Sequence, residues 1–388
     1  AHDLGGAAIK AAVERAGIAP EKVDEVLFGN CLMAGQGQAP ARQAGFKGGL
    51  PKSAGAVTLS KMCGSGMRAA MFAHDMLVAG THDVLVAGGM ESMTNAPHLM
   101  FARKGRSWVA LYDPVGPREE WPELVWRFVE QARESGGRAA FYQVRPEALP
   151  VYLDAGLRVY KLGECALVDL PGFSLQGKAR ANLRHGVARA QREGLSFEVL
   201  APGAAAPVFD ELQAISDAWL NDHNTAEKAF SLGAFQRDYV LGQPVALVRQ
   251  AGRAVAFATL MCTDQKIEAS VDLMRQLPDA PRSAMDFLFA QTILHFQAQG
   301  YQRFNLGMVP LSGMAQHPLA PHWQRLARLL FNHGENFYNF QGLRAFKAKF
   351  DPVWEPRYLT APGGLAPFII LTDIAALIAG GFRRVMSK

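Results

Sequence analysis

The pattern of apolar and polar positions over the first hundred residues predicts helices that alternate with strands. Short apolar runs follow one another, each separated from the next by a helical stretch. The predicted order is a helix from about Asp3 to Ala16, a strand at Val26 to Gly29, a helix from about Ala39, a strand at Ala56 to Ser60, a helix after Ser65 and a strand at Asp83 to Ala87. This alternation predicts a parallel sheet covered by helices. Three strands in roughly 100 residues are few for such a sheet, so we expect an incomplete α/β fragment, less well packed than the rest.

The pattern changes near Gly105, where apolar strands become separated by longer helices. The predicted elements are strand Val109 to Tyr112, helix Glu119 to Ser135, strand Ala139 to Val144, helix Pro146 to Ala155 and strand Val159 to Asp169, with a similar order around Val245 to Cys262, Ala269 to Met274, Ala284 to Gln299 and Phe304 to Met308. Two related α/β units in tandem follow from this repetition. A linker is predicted at Ala201 to Pro207. We therefore expect three domains, over residues 1–104, 105–200 and 201–388.

Two segments carry unusual patterns of charge and hydropathy. Residues 174–193 are predicted to form a helix capped by Ser174 and rich in basic residues, with no acidic residue from Lys178 to Arg192. Contact with RNA phosphates, contact with anionic lipid and a merely solvated face all remain open for it. The apolar stretch from Leu365 to Phe382 carries Asp373 and precedes two arginines, Arg383 and Arg384. It predicts a terminal helix that either packs on its domain or rests on a bilayer surface.

Composition narrows the class of protein only slightly. The 388 residues are 49% hydrophobic and 19% charged, with a net charge of +5, as expected of a globular chain. The cysteines lack the paired spacing of a zinc site or a disulfide framework, so we expect no metal and a reducing compartment. The chain starts with Ala1 and without a leader-like segment. We therefore expect that the natural start lies elsewhere.

The first hundred residues resemble the thiolases. The resemblance rests on Lys61-Met62-Cys63-Gly64-Ser65-Gly66 and on the run from Val84 to Met93. It implies that Cys63, before a helix whose amides favour a thiolate, is descended from a nucleophile that accepts an acyl group from coenzyme A. The histidine and second cysteine that thiolases also require have no counterpart, because His74, His82 and His98 lie in other contexts. We expect this remnant to be inactive.

The remaining residues resemble the cytosolic catalytic part of the aminoacyl-phosphatidylglycerol synthases, or multiple peptide resistance factors. The resemblance rests on three stretches, Trp108 to Pro117, Phe337 to Lys347 and Phe350 to Tyr358. It implies two tandem acetyltransferase-like (GNAT) folds that transfer lysine or alanine from aminoacyl-tRNA to phosphatidylglycerol, at the cytoplasmic face of a bacterial membrane. No cofactor is implied besides the aminoacyl-tRNA co-substrate. The oligomeric state stays open.

Exchange of one ester for another requires positioning, a proton acceptor and support for an oxyanion, but no covalent intermediate. The residues that suit these tasks as catalytic groups are Asp272, Arg275, Lys347, Glu355 and Tyr358, and those that suit substrate binding are Asn305, Lys349, Arg357, Arg180 and Arg184. His333 and Tyr338 are further proton carriers of lower rank. The segment 276–283 lacks the glycines with which acetyltransferases cradle a pyrophosphate, so an acyl-CoA donor is not expected here.

Individual roles follow from charge and spacing. Asp272 is expected to bind the ammonium of the aminoacyl group and Arg275 a phosphate, the alternative being a surface ion pair. Lys347 and Lys349 cannot share one helical face, so one is expected to point inward. Glu355 and Arg357 alternate onto one face of a strand, which favours an internal ion pair.

Three other functions remain as alternatives: tRNA-dependent transfer to a peptide or cell-wall precursor, a non-catalytic membrane- or tRNA-binding module, and a thiolase remnant acting through Cys63. The identity of the amino acid and the origin of the fusion stay open.

Overall fold

The computed structural model describes the chain except residues 34–35, 93–97, 224–226, 316, 318, 320, 322, 326–339 and 380–388. The chain forms two compact units. The first contains Ala1–Leu99 and Pro114–Arg127, and the second contains Met100–Asp113 and Phe128–Lys388. Each is described by itself below.

The first unit is a small parallel sheet with helices on both faces. Its elements are α1 (His2–Ala16), β1 (Glu25–Gly29), α2 (Pro40–Lys47), β2 (Gly55–Leu59), α3 (Ser65–Val78) and β3 (Leu85–Gly89). The strand order is β2-β1-β3, and both pairs are parallel over five residues. On β1, Val26 and Phe28 belong to one apolar cluster, and Leu27 belongs to another with Ala69 and Ala73 of α3. The alternation of the strand thus supplies both faces.

The second unit is built on one mixed sheet of ten strands. Its elements are β4 (Phe101–Lys104), β5 (Ser107–Leu111), α4 (Trp121–Glu134, shared with the first unit), β6 (Arg138–Val144), α5 (Leu149–Asp154), β7 (Arg158–Asp169), α6 (Ala181–Arg192), β8 (Leu195–Leu200), α7 (Phe209–Asp222), α8 (Arg237–Leu241), β9 (Val245–Gln250), β10 (Arg253–Cys262), β11 (Glu268–Gln276), α9 (Ala284–Ala298), β12 (Arg303–Pro310), α10 (Phe340–Ala348), β13 (Val353–Ala361) and α11 (Ala366–Ile378). The order across the sheet is β4-β5-β6-β13-β7-β12-β11-β10-β9-β8. The predicted mixed α/β class is confirmed.

The last strand of the chain lies in the middle of this sheet. β13 pairs antiparallel with β6 on one side and with β7 on the other, where its register runs from Val353 opposite Leu167 to Ala361 opposite Arg158. β13 belongs to the predicted third domain (residues 201–388), yet it pairs with β6 and β7 of the predicted second domain (residues 105–200). The sheet is continuous across the predicted boundary at residue 200, and the division into two acetyltransferase-like folds stays a prediction.

Two neighbouring parallel strands separate soon after they meet. β11 and β12 pair only from Glu268 opposite Arg303 to Ser270 opposite Asn305, although both strands continue beyond that point. The register of β12 against β7 also shifts between Asn305 and Met308, around Gly307 with its φ of 84°. This irregularity opens the sheet at its centre, as bulges next to functional sites often do.

The sheet is also curled between β6 and β11. The Arg145 guanidinium, directly after β6, lies 3.3 Å from the Glu268 carboxylate at the start of β11. Three strands lie between β6 and β11 in the sheet order. With strands spaced by roughly 4.8 Å, a flat sheet would hold these two strands about 19 Å apart. The two long side chains cover most of that separation, and the curl of the sheet closes the rest.

The basic helix is shorter than the sequence predicts. It begins at Ala181 rather than at Ser174, after a 3-10 turn over Lys178–Arg180. The Ser174 hydroxyl accepts a hydrogen bond from the Gln176 amide, and Gly177 has a φ of 90°, outside the helical range. The prediction was wrong at this end because a serine turn and a left-handed glycine compete with helix formation.

The predicted terminal helix is confirmed over Ala366–Ile378. Phe382, Arg383 and Arg384 lie outside the described residues. Within the part of the chain that the structure covers, no helix is both long and apolar enough to cross a bilayer.

Candidate active site

Polar side chains share one face of the central strands. Cys165 of β7 lies opposite Glu355 of β13, and Arg357 lies two residues beyond Glu355. Asn305 of β12 is joined to the same group, because the Cys165 thiol donates to its Oδ1 at 3.0 Å. Since alternate residues of a strand share a face, the register itself brings these side chains together.

Asn305 is the junction between the separating strands. Its Oδ1 also accepts a hydrogen bond from the Gly307 amide at 2.7 Å, and its Nδ2 donates to Glu268 Oε1 at 2.9 Å. Asn305 was predicted to bind substrate. Its contacts are those of a cap, because they satisfy backbone and side-chain groups where the β11–β12 ladder ends.

Glu268 joins the start of β11 to the end of β6, across the three strands that lie between them. One carboxylate oxygen accepts from Asn305, and the other lies 3.3 Å from the Arg145 guanidinium and 2.7 Å from that of Arg303. The Arg145 amide in turn donates to Asp113, which also accepts from the Tyr152 hydroxyl at 2.8 Å. Burial raises the pKa of Asp113, although both hydrogen bonds oppose the rise. The network fixes these two strand ends.

Lys347 points inward, as one of the two neighbouring lysines was expected to do. The residue is only 6% exposed, and its Nζ donates to the Met308 carbonyl at 3.2 Å. Burial lowers the pKa of Lys347 to about 8, with the Cys165 thiol acting in the opposite direction. Near neutral pH an appreciable minority of this amine is therefore unprotonated. Lys349 instead forms an ion pair with Asp286 at 2.9 Å on the outside.

Asp272 accepts two hydrogen bonds from groups outside its strand. The Gly233 amide donates at 3.0 Å, and the Tyr239 hydroxyl donates to the other oxygen. A side chain at position 233 would collide with this carboxylate, so only glycine permits the approach. Burial, followed by the hydrogen bond to Asp272, raises the pKa of Tyr239 to about 12. Tyr239 therefore remains a donor, and Asp272 keeps a fixed orientation.

Arg275 has its own partners. Its guanidinium binds both oxygens of Glu227 at 2.9 Å, donates to Ser216 and lies over the ring of Trp219. The residue is 5% exposed. The alternative of a surface pair between Asp272 and Arg275 is therefore wrong. Arg275 was predicted to bind a phosphate, but its guanidinium is already paired with Glu227 and its side chain is buried.

Tyr112 lies near Asp272 and near Cys165, which belongs to the central group with Asn305, Glu355 and Arg357. It follows β5 with a φ of 63°, which is rare for an aromatic residue, and such backbone strain clusters at functional sites. Desolvation raises the pKa of Tyr112; nearby Cys165 and Asp272 add to the rise, and Arg357 opposes it. Asp272 and the central group therefore both act on Tyr112.

The remaining predicted residues divide between this group and other surfaces. The predicted ion pair of Glu355 and Arg357 is present and buried. Tyr358 belongs to the face of the sheet opposite to Cys165. Burial and then the Glu164 carboxylate raise the pKa of Tyr358. Glu164 is next to Cys165 on β7, so these two side chains point to opposite faces. His333 and Tyr338 lie outside the described residues.

The two arginines of the basic segment that were predicted to bind substrate contact local groups instead. Arg180 donates to the Lys349 carbonyl and to Asp351, both at 3.4 Å. Arg184 donates to the carbonyls of Leu175 and Gly177, at 2.8 and 3.1 Å. These contacts hold the turns beside α6, and the substrate roles of both residues stay predictions.

In the first unit, Cys63 is exposed in the turn before α3. The nearby contacts involve Cys31, whose Sγ lies 3.3 Å from the Ser65 hydroxyl. His74 and His82 interact with Asp75 and Glu25 instead. Among the described residues, no three His, Cys, Asp or Glu side chains are grouped as a metal site would require.

Sequence reasoning missed several members of the central group: Tyr112, Asp113, Arg145, Cys165 and Glu268. Asp113 and Tyr112 do lie in the Trp108–Pro117 stretch, which was a usable signal. Arg145 and Glu268 gave none, because only the curl of the sheet brings them together.

A buried amine on α10 and a carboxylate held in place by two donors on β11 are groups suited to group transfer. The comparisons give the particular family. Residues 83–361 match the family described as "Phosphatidylglycerol lysyltransferase, C-terminal". Residues 1–112 match "Thiolase, N-terminal domain", a shorter match that overlaps the first at 83–112. The chain belongs to the phosphatidylglycerol lysyltransferase C-terminal family.

Relatives and solved structures agree with this assignment. The chain is 40% identical over 262 residues to a phosphatidylglycerol lysyltransferase of Bacillus subtilis and 36% identical over 280 residues to one of Staphylococcus aureus, covering 67% and 71% of this chain. It spans only 30% and 33% of those relatives.

Two solved structures are also similar. One is the C-terminal domain of a putative lysylphosphatidylglycerol synthetase from Agrobacterium fabrum, at 52% identity with a TM-score of 0.67, covering 74% of this chain and 87% of that one. The other is L-PGS from Bacillus licheniformis, at 37% identity with a TM-score of 0.63, covering 73% and 86%.

Proposed function

We propose that the second unit transfers an aminoacyl group from aminoacyl-tRNA to a hydroxyl of phosphatidylglycerol. The observation that carries this proposal is the buried Lys347 amine, whose Nζ is held by the Met308 carbonyl and whose pKa is lowered to about 8. The Asp272 carboxylate, held by Gly233 and Tyr239, is the second group that we assign to the site. The names of the relatives in this family supply the substrate class. Lysine and alanine remain equal candidates for the amino acid.

The reaction exchanges one ester for another. The lipid hydroxyl oxygen attacks the aminoacyl carbonyl carbon, the bond to the ribose oxygen breaks, and one proton moves from the attacking to the leaving oxygen. A neutral Lys347 accepts that proton and returns it, because its pKa lies close to the working pH. Asp272 binds the ammonium of the amino acid, which places the carbonyl near the lysine.

Arg275 is assigned a supporting role rather than contact with phosphate. Its bidentate pair with Glu227 neutralises the guanidinium, and it holds the C-terminal half of β11, the strand that carries Asp272. Arg357 is buried and paired with Glu355 at the central group, and by the same argument we assign it to holding Glu355 in place.

An acyl-CoA donor fits the same unit poorly. In α9, the residue before the first turn is Ser283, and its hydroxyl donates to the Glu193 carboxylate. A carboxylate beside this helix start opposes a pyrophosphate, which would otherwise favour the positive end of the helix. This supports a donor without coenzyme A, and we propose that no cofactor is needed. The proposed place of action is the cytoplasmic face of an anionic bacterial membrane.

The test supplies the whole chain with detergent-dispersed phosphatidylglycerol and tRNA charged with labelled lysine or alanine. Labelled aminoacyl-lipid is expected with at least one of the two. Parallel reactions use acetyl-CoA as donor and a cell-wall peptide as acceptor, and no product is expected in either. Product on the peptide alone, or none with any combination, would overturn the proposal.

A further inference from the structure

Strand β12 contains one residue more than its pairing with β7 requires. Asn305 lies opposite Leu167. Three residues later, Met308 lies opposite Cys165, which is only two residues from Leu167 along β7. Residues Asn305 to Met308 therefore form a β-bulge, the β12 bulge, with Gly307 at a φ of 84°. Bulges beside functional sites commonly redirect the groups that they carry.

The Asn305 side chain holds the β12 bulge in place. Its Oδ1 accepts from the Gly307 amide at 2.7 Å and from the Cys165 thiol at 3.0 Å. Its Nδ2 donates to Glu268 of β11 at 2.9 Å. An amide side chain offers both an acceptor and a donor, and Asn305 uses both. One side chain thus ties the bulge to the strands on either side of it.

The Lys347 amine lies against the β12 bulge. Its Nζ donates to the Met308 carbonyl at 3.2 Å, and a Cβ added to Gly307 would lie 3.5 Å from the same nitrogen. Lys347 is buried and, within the part of the chain that the structure describes, it forms no ion pair. A lysine amine ends a flexible four-carbon stem. The backbone of the bulge is therefore what fixes this amine in position.

We propose that Asn305 is the positioning residue for the Lys347 amine, which it controls through the β12 bulge. Asn305 does not contact substrate in this role; it holds the backbone that carries the Met308 carbonyl, to which Lys347 donates. The inference rests on the proposed function, because the amine that is positioned is the one assigned to move the proton. A displacement of this amine by about 1 Å would slow the transfer by about 100-fold.

The test measures aminoacyl transfer by variants of the whole chain. Asn305→Ala removes the bonds that hold the bulge and should lower kcat by roughly 10- to 100-fold, with KM changed less than about threefold, because substrate contacts are untouched. Asn305→Asp still accepts from the Gly307 amide and should retain more of kcat than Asn305→Ala. Gly307→Ala keeps Asn305 but strains the bulge at its positive φ, and it should also lower kcat at constant KM.

Gln297→Ala is the matched control. It also removes an amide side chain that binds backbone groups, here the carbonyls of Leu170 and Phe173, both at 2.7 Å. It should leave kcat and KM unchanged. Near-ultraviolet circular dichroism shows whether each variant folds, and Gly307→Ala carries the test if Asn305→Ala does not fold.

A second readout follows the amine itself. Trace acetylation with acetic anhydride between about pH 7 and about pH 11, read by mass spectrometry of the peptide that contains Lys347, gives the pKa of this amine. In the wild type that pKa is expected at about 8. In Asn305→Ala the pKa should move toward the ordinary value of 10.5, because a released amine regains water. Cys165, the titratable group that acts on the amine, is the same in every variant.

The two readouts separate this inference from the proposed reaction. A shifted titration in Asn305→Ala, together with full transfer by Lys347→Met, would keep the positioning role and refute the lysine as proton carrier. An unshifted titration with unchanged kcat would overturn the positioning role and leave the reaction standing. Equal losses in Asn305→Ala and Asn305→Asp would assign the effect to the link with Glu268, and a raised KM would assign it to substrate contact. Either result overturns the inference.

Discussion

The two units differ in how completely they cover their sheets. In the first, β2 and β3 have no buried residue, and Met62, Met67 and Val78 are each 75% exposed. In the second, a single large apolar cluster packs against β9, β10 and the helices α7 and α9, with strands such as Val245 to Val248 fully buried. The first sheet is covered only by small apolar clusters, so the difference lies in how much apolar surface packs against the strands.

The same contrast separates the two candidate sites. Cys63 lies exposed in a turn and depends on local geometry. The group around Lys347 draws on β5, β7, β11, β12, β13 and α10, and burial changes the pKa of its members. Desolvation by a large core lowers the pKa of a buried amine and so prepares it for proton transfer. Cys63 is exposed and is not desolvated in this way.

The strongest test removes the amine. Lys347→Met keeps the length of the side chain and should lower aminoacyl transfer by about 10³-fold, because a positioned base contributes roughly 10²–10⁴. Initial rates with labelled donor measure this. Lys349→Met, whose partner Asp286 lies on the outside, should change the rate less than about threefold. Equal losses in the two variants would remove Lys347 from the mechanism.

The pH dependence sharpens the same assignment. Wild-type kcat/KM should rise with pH and level off above about 8, as Lys347 becomes neutral. The folded pKa lies below the unfolded value of 10.5, so the charged lysine destabilises the fold, fully below about pH 8 and no longer above 10.5. Lys347→Met should therefore raise the free energy of unfolding near pH 7, by on the order of 2 kcal/mol in chemical denaturation. A less stable variant would contradict this.

Neutralising Asp272 should have the next largest effect. Asp272→Asn should raise the KM for aminoacyl-tRNA by roughly 10- to 100-fold, the strength of a charge-assisted contact. A donor with an acetylated amino group should be used poorly by wild type, and the variant should no longer discriminate against it. Asp279→Asn, an exposed partner of Arg253, is the control. Retained discrimination would assign the ammonium to another group.

Glu268 tests whether the curl of the sheet positions the site. Glu268→Gln weakens the links to Arg145 and Arg303 and should lower kcat about tenfold with little change in KM, because misplaced groups slow the chemical step. Glu268→Asp should restore part of the rate, and Glu198→Gln, an exposed partner of Arg249, should have no effect. A change in KM alone would argue for direct substrate contact.

Hydrogen exchange compares the units directly. Amides of β1 in the first unit should exchange roughly tenfold or more faster than those of β9 and β10, because opening a small sheet exposes less apolar surface. Mass spectrometry of peptides after timed exchange measures this. Uniform protection across the chain would show that the first unit is as firmly packed as the second.

The smallest effect is expected at the thiolase-like cysteine. Cys63→Ala should change aminoacyl transfer less than twofold, because the second unit supplies the proposed chemistry. Incubation with acetyl-CoA should leave Cys63 unmodified by mass, since His74 and His82 are engaged with Asp75 and Glu25. A stable acetyl group on Cys63 would restore a catalytic role to the first unit.

The sequence by itself determined the change of pattern near Gly105, most helices and strands, and the family resemblance, because these depend on local periodicity and on contiguous motifs. It also predicted that one of Lys347 and Lys349 points inward and that Glu355 pairs with Arg357, since helix and strand periods decide which residues share a face. It failed at Ser174, where a turn competes with a helix.

Only the tertiary structure decided what those residues meet. The insertion of β13 between β6 and β7, the separation of β11 from β12 and the contact of Arg145 with Glu268 all join positions more than a hundred residues apart or depend on an irregular register. Local preferences carry no information about such pairings. The partners of Asp272 and Arg275, and the lowered pKa of Lys347, arise only when the sheet curls and excludes water.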